Sequence, residues 1–266
     1  MNETEGLNVG QNATMPEIVQ PSTIPPVIIS PHLNLKYQSP KRVPFGGSLT
    51  NKILGGISGA DLSRLLPYLE CVNLTSGQQL NCLGERIDFV YFPETAIISH
   101  IYFLGDGSTA ATSIVGKEGM VGLSAIFDSP PPTHWIEVTL TGTALRVSSE
   151  VIKREFHNGG SLQHSLLDCM SARLAQVSQR AVCNGCHELS QRLATWLLMI
   201  HDRAQIDELR LTQETMANHL GTRRATVNAA CTALRESGIV SYRRAAITII
   251  DRKRLETVAC ECYRVL

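Results

Sequence analysis

Two adjacent arginines at the mouth of a short helix are the residues of this chain best placed to do chemistry. Arg223 and Arg224 follow Gly221-Thr222 and lead into Ala225-Thr226-Val227-Asn228. Arginine pairs with the O6 and N7 edge of guanine, and asparagine with the N6 and N7 edge of adenine. Val227, Cys231 and Leu234 fall at i, i+4 and i+7 and give this helix one apolar face. Arg224, Asn228 and Arg235 lie opposite, so Arg223, Arg224, Thr226 and Asn228 are the expected base readers.

Such a helix needs a holder. Thr212 is placed to N-cap an upstream helix whose inward stripe is Met216 and Leu220. Gly221 supplies the permissive backbone of a tight turn, and Thr222 is expected to cap the second helix. After Gly238, the runs Val240 to Tyr242 and Ile247 to Ile250 read as two strands around Arg243-Arg244-Ala245-Ala246. Two arginines at a hairpin tip suit phosphate contacts, which add affinity without sequence preference. Helix, turn, helix and basic hairpin form an order of elements that lays one helix into a major groove.

A second group with chemical potential is Cys183-x-x-Cys186 followed by His187. These types bind metals or exchange disulfides, and a thiol- or metal-based redox sensor using Cys183 and Cys186 is one alternative reading. A metal would need a further ligand from elsewhere. Cys260 and Cys262 are expected in a closing helix that starts at Asp251 and buries Leu255, Val258 and Cys262. A helix end with two partly buried thiols, holding no metal or cofactor, is therefore expected. His187-Glu188 is not a zinc-protease signature, since Gln191 stands where the second histidine would fall. A phosphate-binding loop, a nucleophile elbow and an acid pair are all missing from the sequence, and no enzyme is expected.

Net charge is zero over 266 residues. From Arg203 onward there are 11 Lys and Arg against 7 Asp and Glu, which leaves a basic end and an acidic remainder. Apolar runs fall short of the roughly 18 residues of a membrane span. The first residues lack a secretory pattern and the eight cysteines lack a small-domain spacing. A cytoplasmic location is expected.

Residues 1–47 are proline-rich without a sustained period and are expected to be a disordered or loosely ordered extension. A helical patch follows around Leu62, Leu65, Leu66 and Leu69. Strand-like runs at Phe89 to Phe92, Ala96 to Phe103, Thr109 to Val115, Trp135 to Leu140 and Thr143 to Val147 are separated by glycine and proline turns. They argue for a β-barrel or jelly roll over 48–160. Residues 161–203 then carry a long helix, from about Leu162 to Cys183 and ended by Asn184-Gly185, and a connecting helix. Leu167, Met170, Leu174, Val177 and Ala181 form an a/d seam. Burial against the barrel competes with dimerisation for that seam; a dimer is favoured because a winged reader spans two half-sites. Residues 204–266 hold the helix-turn-helix and hairpin.

The motifs Thr212-Gln213-Glu214, Gly221-Thr222-Arg223-Arg224-Ala225-Thr226-Val227 and Gly238-Ile239-Val240 resemble the winged helix-turn-helix of the Crp/Fnr regulators. The preceding strands and helix resemble their cyclic-nucleotide-binding-like sensor domain. The resemblance implies an α+β fold with a β-barrel/jelly-roll sensor, a long dimerisation helix and a C-terminal winged helix-turn-helix. It implies double-stranded DNA, a second copy of the chain and RNA polymerase as partners. Thr212, Gln213, Thr222, Tyr242, Arg243 and Arg244 would touch the DNA backbone. Ala225 and Ala229 depart from the Glu and Arg frequent at those positions, so the operator should differ.

Gly116-Lys117-Glu118-Gly119 resembles half of the family's phosphate-binding motif, but the arginine of the second half is absent; His134-Trp135 falls nearest its place. A pocket around Glu118, Gly119, His134 and Trp135 is therefore expected not to hold cyclic nucleotide, its effector being unidentified. A cyclic-nucleotide-binding module acting through protein contacts is the other alternative. The three extension cysteines of the oxygen-sensing iron–sulfur members are absent, since Cys71 is the first cysteine.

Overall fold

The computed structural model describes residues 47, 49–127 and 129–265 together with the backbone of 41–43. The described residues belong to one compact unit, 34–266; residues 1–33 lie outside the described residues.

Short runs of mostly buried residues build the sensor half from two antiparallel sheets. One has the order β1 (Lys41–Val43), β2 (Glu70–Leu74), β7 (Gly142–Ser148), β3 (Phe89–Pro93). The other has the order β5 (Thr109–Val115), β4 (Ile97–Phe103), β6 (Trp135–Leu140). Val72, Ile98, Val121, Ile136, Val138 and Ala144 form a core within this half. Gly142 lets β7 start hard against Thr95-Ala96, where a Cβ would sit 2.4 Å from the Ala96 nitrogen.

Strand β1 corrects the reading of 1–47 as wholly loose: Lys41–Val43 pairs antiparallel with β2, and the rest of the extension, Gly47 apart, lies outside the described residues. Pairing with β2 gives those three residues ladder partners despite the prolines around them. Helices α1 (Lys52–Gly56), α2 (Gly59–Leu65) and α3 (Ser149–His157) cover the outer face of β3 and β7 with Ile53, Leu54, Leu65, Ile152 and Phe156.

Helix α4 (Gly160–Cys186) is longer than expected. Asn184 and Gly185 lie inside it and His187 is the C-cap, its N–H donating to the Cys183 carbonyl. Leu162 and Leu166 anchor the start of α4 to the sensor half. Helix α5 (Leu189–Ala204) is buried on every side from Leu193 to Ile200, beyond the single face expected. Around it pack α6 (Gln213–Leu220), α7 (Arg224–Glu236), α8 (Arg252–Val258) and a small sheet, ordered β8 (Glu208–Leu209), β10 (Ala246–Ile249), β9 (Val240–Arg243). The closing segment is not one helix: α8 ends at Val258, and Cys262 lies in a separate 3₁₀ turn, Glu261–Arg264. One hydrophobic core joins these elements to Ile97, Ile114 and Leu140 of the sensor sheet.

Candidate nucleic-acid interface

Thr212 N-caps α6, its hydroxyl accepting from the Thr215 N–H at 2.9 Å. Gly221 ends α6 in the left-handed region (φ 61°). The Thr222 N–H then closes that helix by donating to the Ala217 carbonyl at 3.1 Å. Because α7 begins at Arg224, Thr222 lies one residue ahead of the capping place expected for it. Arg223 occupies the N-cap position of α7, with no side-chain cap.

Val227, Cys231 and Leu234 are buried, whereas Arg223, Arg224, Thr226 and Asn228 are exposed on the first turns of α7. Gln213 Nε2 donates to Asn228 Oδ1 at 2.7 Å. That bond orients the Asn228 amide and leaves its Nδ2 hydrogens and one oxygen lone pair free for an adenine edge.

The hairpin turns on Arg244 and Ala245, both at positive φ (41° and 66°), the backbone that matches strand twist in a two-residue loop. Arg243, Arg244 and Thr212 share a groove with Arg210, an exposed cation that the sequence reading passed over. Tyr242 is half-buried and packs on the core. The arrangement presents guanidinium and amide donors on one helix mouth, with further cations on the hairpin beside it.

Helix α6 also packs on β5. His219 is buried against the β4–β6 face of the sensor sheet, with Nε2 2.9 Å from Ser99 Oγ and 3.1 Å from Thr139 Oγ1. Its Nδ1 lies 2.7 Å from the Thr215 carbonyl, which only accepts, so Nδ1 carries the proton and Nε2 accepts from the hydroxyls. Burial, with the Arg180 guanidinium adding to it, pulls His219 down to about 4 against the hydrogen bond to Thr215. From α4, Arg180 donates to the His219 carbonyl at 2.8 Å. Beside the docked helix, Arg203 Nε meets Glu118 Oε1 at 2.6 Å and Lys117 Nζ donates to Gln205 Oε1 at 2.9 Å.

The four expected pocket residues do not come together. Glu118 and Gly119 line a cavity of about 240 Å³ with Cys169, Arg173, Gln176 and Arg203. His134 stacks on Tyr102 and Trp135 meets Phe103 edge-on, and neither lines that cavity. Arg173, which the sequence reading missed because it sits on the long helix, donates to the Met120 carbonyl at 3.0 Å and lies 3.2 Å from His100 Nδ1. Burial, then Arg173 and His134, hold His100 well below the ordinary histidine range.

On α4, Leu167, Met170 and Leu174 are 39%, 41% and 69% exposed, Ala181 is exposed and Val177 half-buried. The sensor half therefore does not consume this stripe. At the far end, Cys183 is buried against Cys260 and Cys262, while Cys186 is exposed and outside the group. Cys183 is thus grouped with Cys260 and Cys262 and not with Cys186: on the last turn of α4 only Cys183 packs against the closing segment. Burial, then the neighbouring thiols, push Cys183 up to about 12.

A family model described as a Crp-like helix-turn-helix domain matches residues 191–258. That match covers the helix-turn-helix and its hairpin. It is 25% identical over 214 residues to a CRP-like cAMP-activated global transcriptional regulator of Mycobacterium tuberculosis, covering 76% of this chain and 94% of that one. It superposes on a Crp/Fnr-family protein from Eubacterium rectale with a TM-score of 0.64 at 21% identity, covering 79% of this chain and 99% of the other. FixK2 from Bradyrhizobium japonicum gives 0.61 at 17% identity, covering 72% and 98%. The carboxyl-terminal part of the chain is thus similar to a Crp-like helix-turn-helix domain, and the chain as a whole shares the fold of Crp/Fnr-family proteins.

Proposed function

We propose that the chain is a dimeric, sequence-specific DNA-binding regulator whose reading helix is α7. The observation that carries this is the division of α7 into a buried apolar face and an exposed face with Arg223, Arg224, Thr226 and Asn228 at its N-terminal turns. Thr212, Gln213, Thr222, Tyr242, Arg243 and Arg244 hold the DNA backbone, with Arg210 beside them. The uncovered stripe of Leu167, Met170 and Leu174, continued by Val177 and Ala181, supports a parallel pair of α4 helices bringing two readers to two half-sites. RNA polymerase as a partner follows from the family resemblance. A cytoplasmic, non-enzymatic role agrees with this reading; among the described residues no helix is long and apolar enough to cross a membrane.

The reader moves between two placements. In the one described here, His219, Arg180 and the Glu118–Arg203 pair hold α6 against the sensor half. An effector that binds only one placement shifts the balance by its difference in affinity. The cavity by Glu118 and Arg173 falls below the roughly 300–1,000 Å³ usual for ligand sites, and Arg203 is already paired with Glu118. This supports an effector smaller than a cyclic nucleotide. Genome-wide footprinting of the purified protein tests the reading: a palindromic motif with half-sites one helical turn apart is expected, and absence of any sequence preference at low salt overturns it.

A further inference from the structure

Four residues far apart in sequence meet at the end of α4. Cys183 sits on its last turn and His187 caps it; Cys260 and Cys262 flank Glu261 at the start of the final 3₁₀ turn. The three sulfurs and one imidazole nitrogen all lie within 4.8 Å of one another. Cys183 Sγ is 3.6 Å from Cys260 Sγ, and Cys262 Sγ is 3.6 Å from His187 Nδ1.

Those separations suit a single ion. Zinc binds sulfur at about 2.3 Å and imidazole nitrogen at about 2.0–2.1 Å, so a tetrahedron has S···S edges of about 3.8 Å and S···N edges of about 3.6 Å. The two measured contacts are opposite edges of such a figure. A disulfide would need about 2.05 Å. An iron–sulfur cluster would need a wider cage, because iron and sulfide atoms stand between its ligands.

The surroundings are those of a metal centre. His187 turns its other nitrogen, Nε2, to Glu261 Oε1 at 3.2 Å, the outer carboxylate that fixes the tautomer of a ligating histidine. Gln179 Nε2 donates toward Cys262 Sγ at 3.1 Å, and Thr195 Oγ1 lies 3.1 Å from Cys260 Sγ, so both sulfurs have neighbours able to donate to a thiolate. Arg180 and Arg192 flank Cys183 in the adjoining crevice and would offset the net negative charge of three thiolates on one divalent ion. All three cysteines are buried, and the four protein ligands leave no open position.

We propose that Cys183, His187, Cys260 and Cys262 form a structural zinc site that ties the end of the long helix to the carboxyl-terminal turn of the DNA-binding domain. Ligand spacing hid it: Cys183-x-x-x-His187 and Cys260-x-Cys262 are separated by more than seventy residues and brought together across Thr195 of α5.

The test is metal analysis of the full-length protein purified from zinc-supplemented cells. One zinc per chain is expected, retained by Cys186→Ser and lost from Cys260→Ser/Cys262→Ser. Cobalt exchanged into the wild type should give the visible absorption of a tetrahedral thiolate complex. His187→Cys should keep the metal and shift that spectrum toward a four-sulfur site, which guards against a variant that merely misfolds. Metal-free protein that takes up no cobalt, iron with acid-labile sulfide, or a Cys183–Cys260 disulfide found by mass spectrometry would each overturn the assignment.

Discussion

His219 ties the docking of the reading domain to proton concentration. Its imidazole is fully enclosed by Ser99 and Thr139 of the sensor sheet, Thr215 of its own helix, the Trp196 ring and, on the cationic side, Arg180. Protonation would turn Nε2 from acceptor to donor, reverse the Ser99–Thr139 hydroxyl pair and place an imidazolium near a guanidinium. The folded chain therefore binds this proton with a pKa of about 4, against 6.5 for an unfolded histidine. Between those values the unfolded chain carries more protons, so stability falls as pH falls, beginning near 6.5 and ending near 4. At about 1.4 kcal/mol per pH unit the contribution is about 3 kcal/mol. Urea unfolding of wild type and His219→Gln across that range isolates it. His100 and the carboxylates titrate in both proteins and cancel in the difference. Glutamine keeps a polar group near the hydroxyls but has no proton to gain, so the stability advantage of wild type should shrink by about 3 kcal/mol from neutral pH to pH about 4. Parallel curves for the two proteins would refute the reasoning.

Three further outcomes are expected. Arg224→Ala should weaken operator binding by roughly 1–3 kcal/mol and relax one base position, read by mobility shift against a panel of single-base operator variants. Arg243→Ala with Arg244→Ala should lower affinity evenly across sequences and reduce the salt slope by about one per arginine, read by titration at several salt concentrations. Leu174→Glu places a charge on the most exposed position of the α4 stripe and should convert a dimer to a monomer in sedimentation, with operator affinity falling in step.

Much of the architecture was legible because it is written in local periods. Thr109–Val115 and Trp135–Leu140 are strands where strand-like runs between turn signals place them, and Val227, Cys231 and Leu234 are the buried face their spacing predicts. What escaped depends on partners distant in sequence. β2 has only five residues, and its place beside β7 is set by pairing with a strand some seventy residues away. Thr222 had the right type for a cap, but α7 starts at Arg224, so the capping place falls to Arg223. His219 sits beside Met216 and Leu220 in an apolar stripe, and nothing nearby marks that it faces another domain's hydroxyls rather than its own core. The thiol site failed for the same reason: Cys186 was the near neighbour in sequence, while Cys260 and Cys262 are the neighbours in space.

A different set of long-range contacts converges on β5. At its beginning, β5 supports the turn of the helix-turn-helix, where a Cβ built on Gly221 would lie 3.2 Å from Ala110. At its end, Ile114 and Val115 line the cavity that holds Glu118, Arg173 and Arg203. Ser113 Oγ lies 2.8 Å from His100 Nδ1, and Arg173 reaches both. A small anion drawn to Arg173 and Arg203 would compete with Glu118 for the second of them, loosening the end of α5 from the sensor turn. The same displacement at Val115 would travel along a seven-residue strand to the Ala110–Gly221 contact. On the proposed reading, cavity and reader are therefore coupled through β5 and the Arg203–Glu118 pair together. Taking the docked placement as the one that does not fit DNA, severing the pair with Glu118→Gln should raise operator affinity in the absence of any effector, because it weakens only that placement. An unchanged affinity would mean that the pair does not favour one placement over the other, and the coupling would have to run through His219 and Arg180 alone.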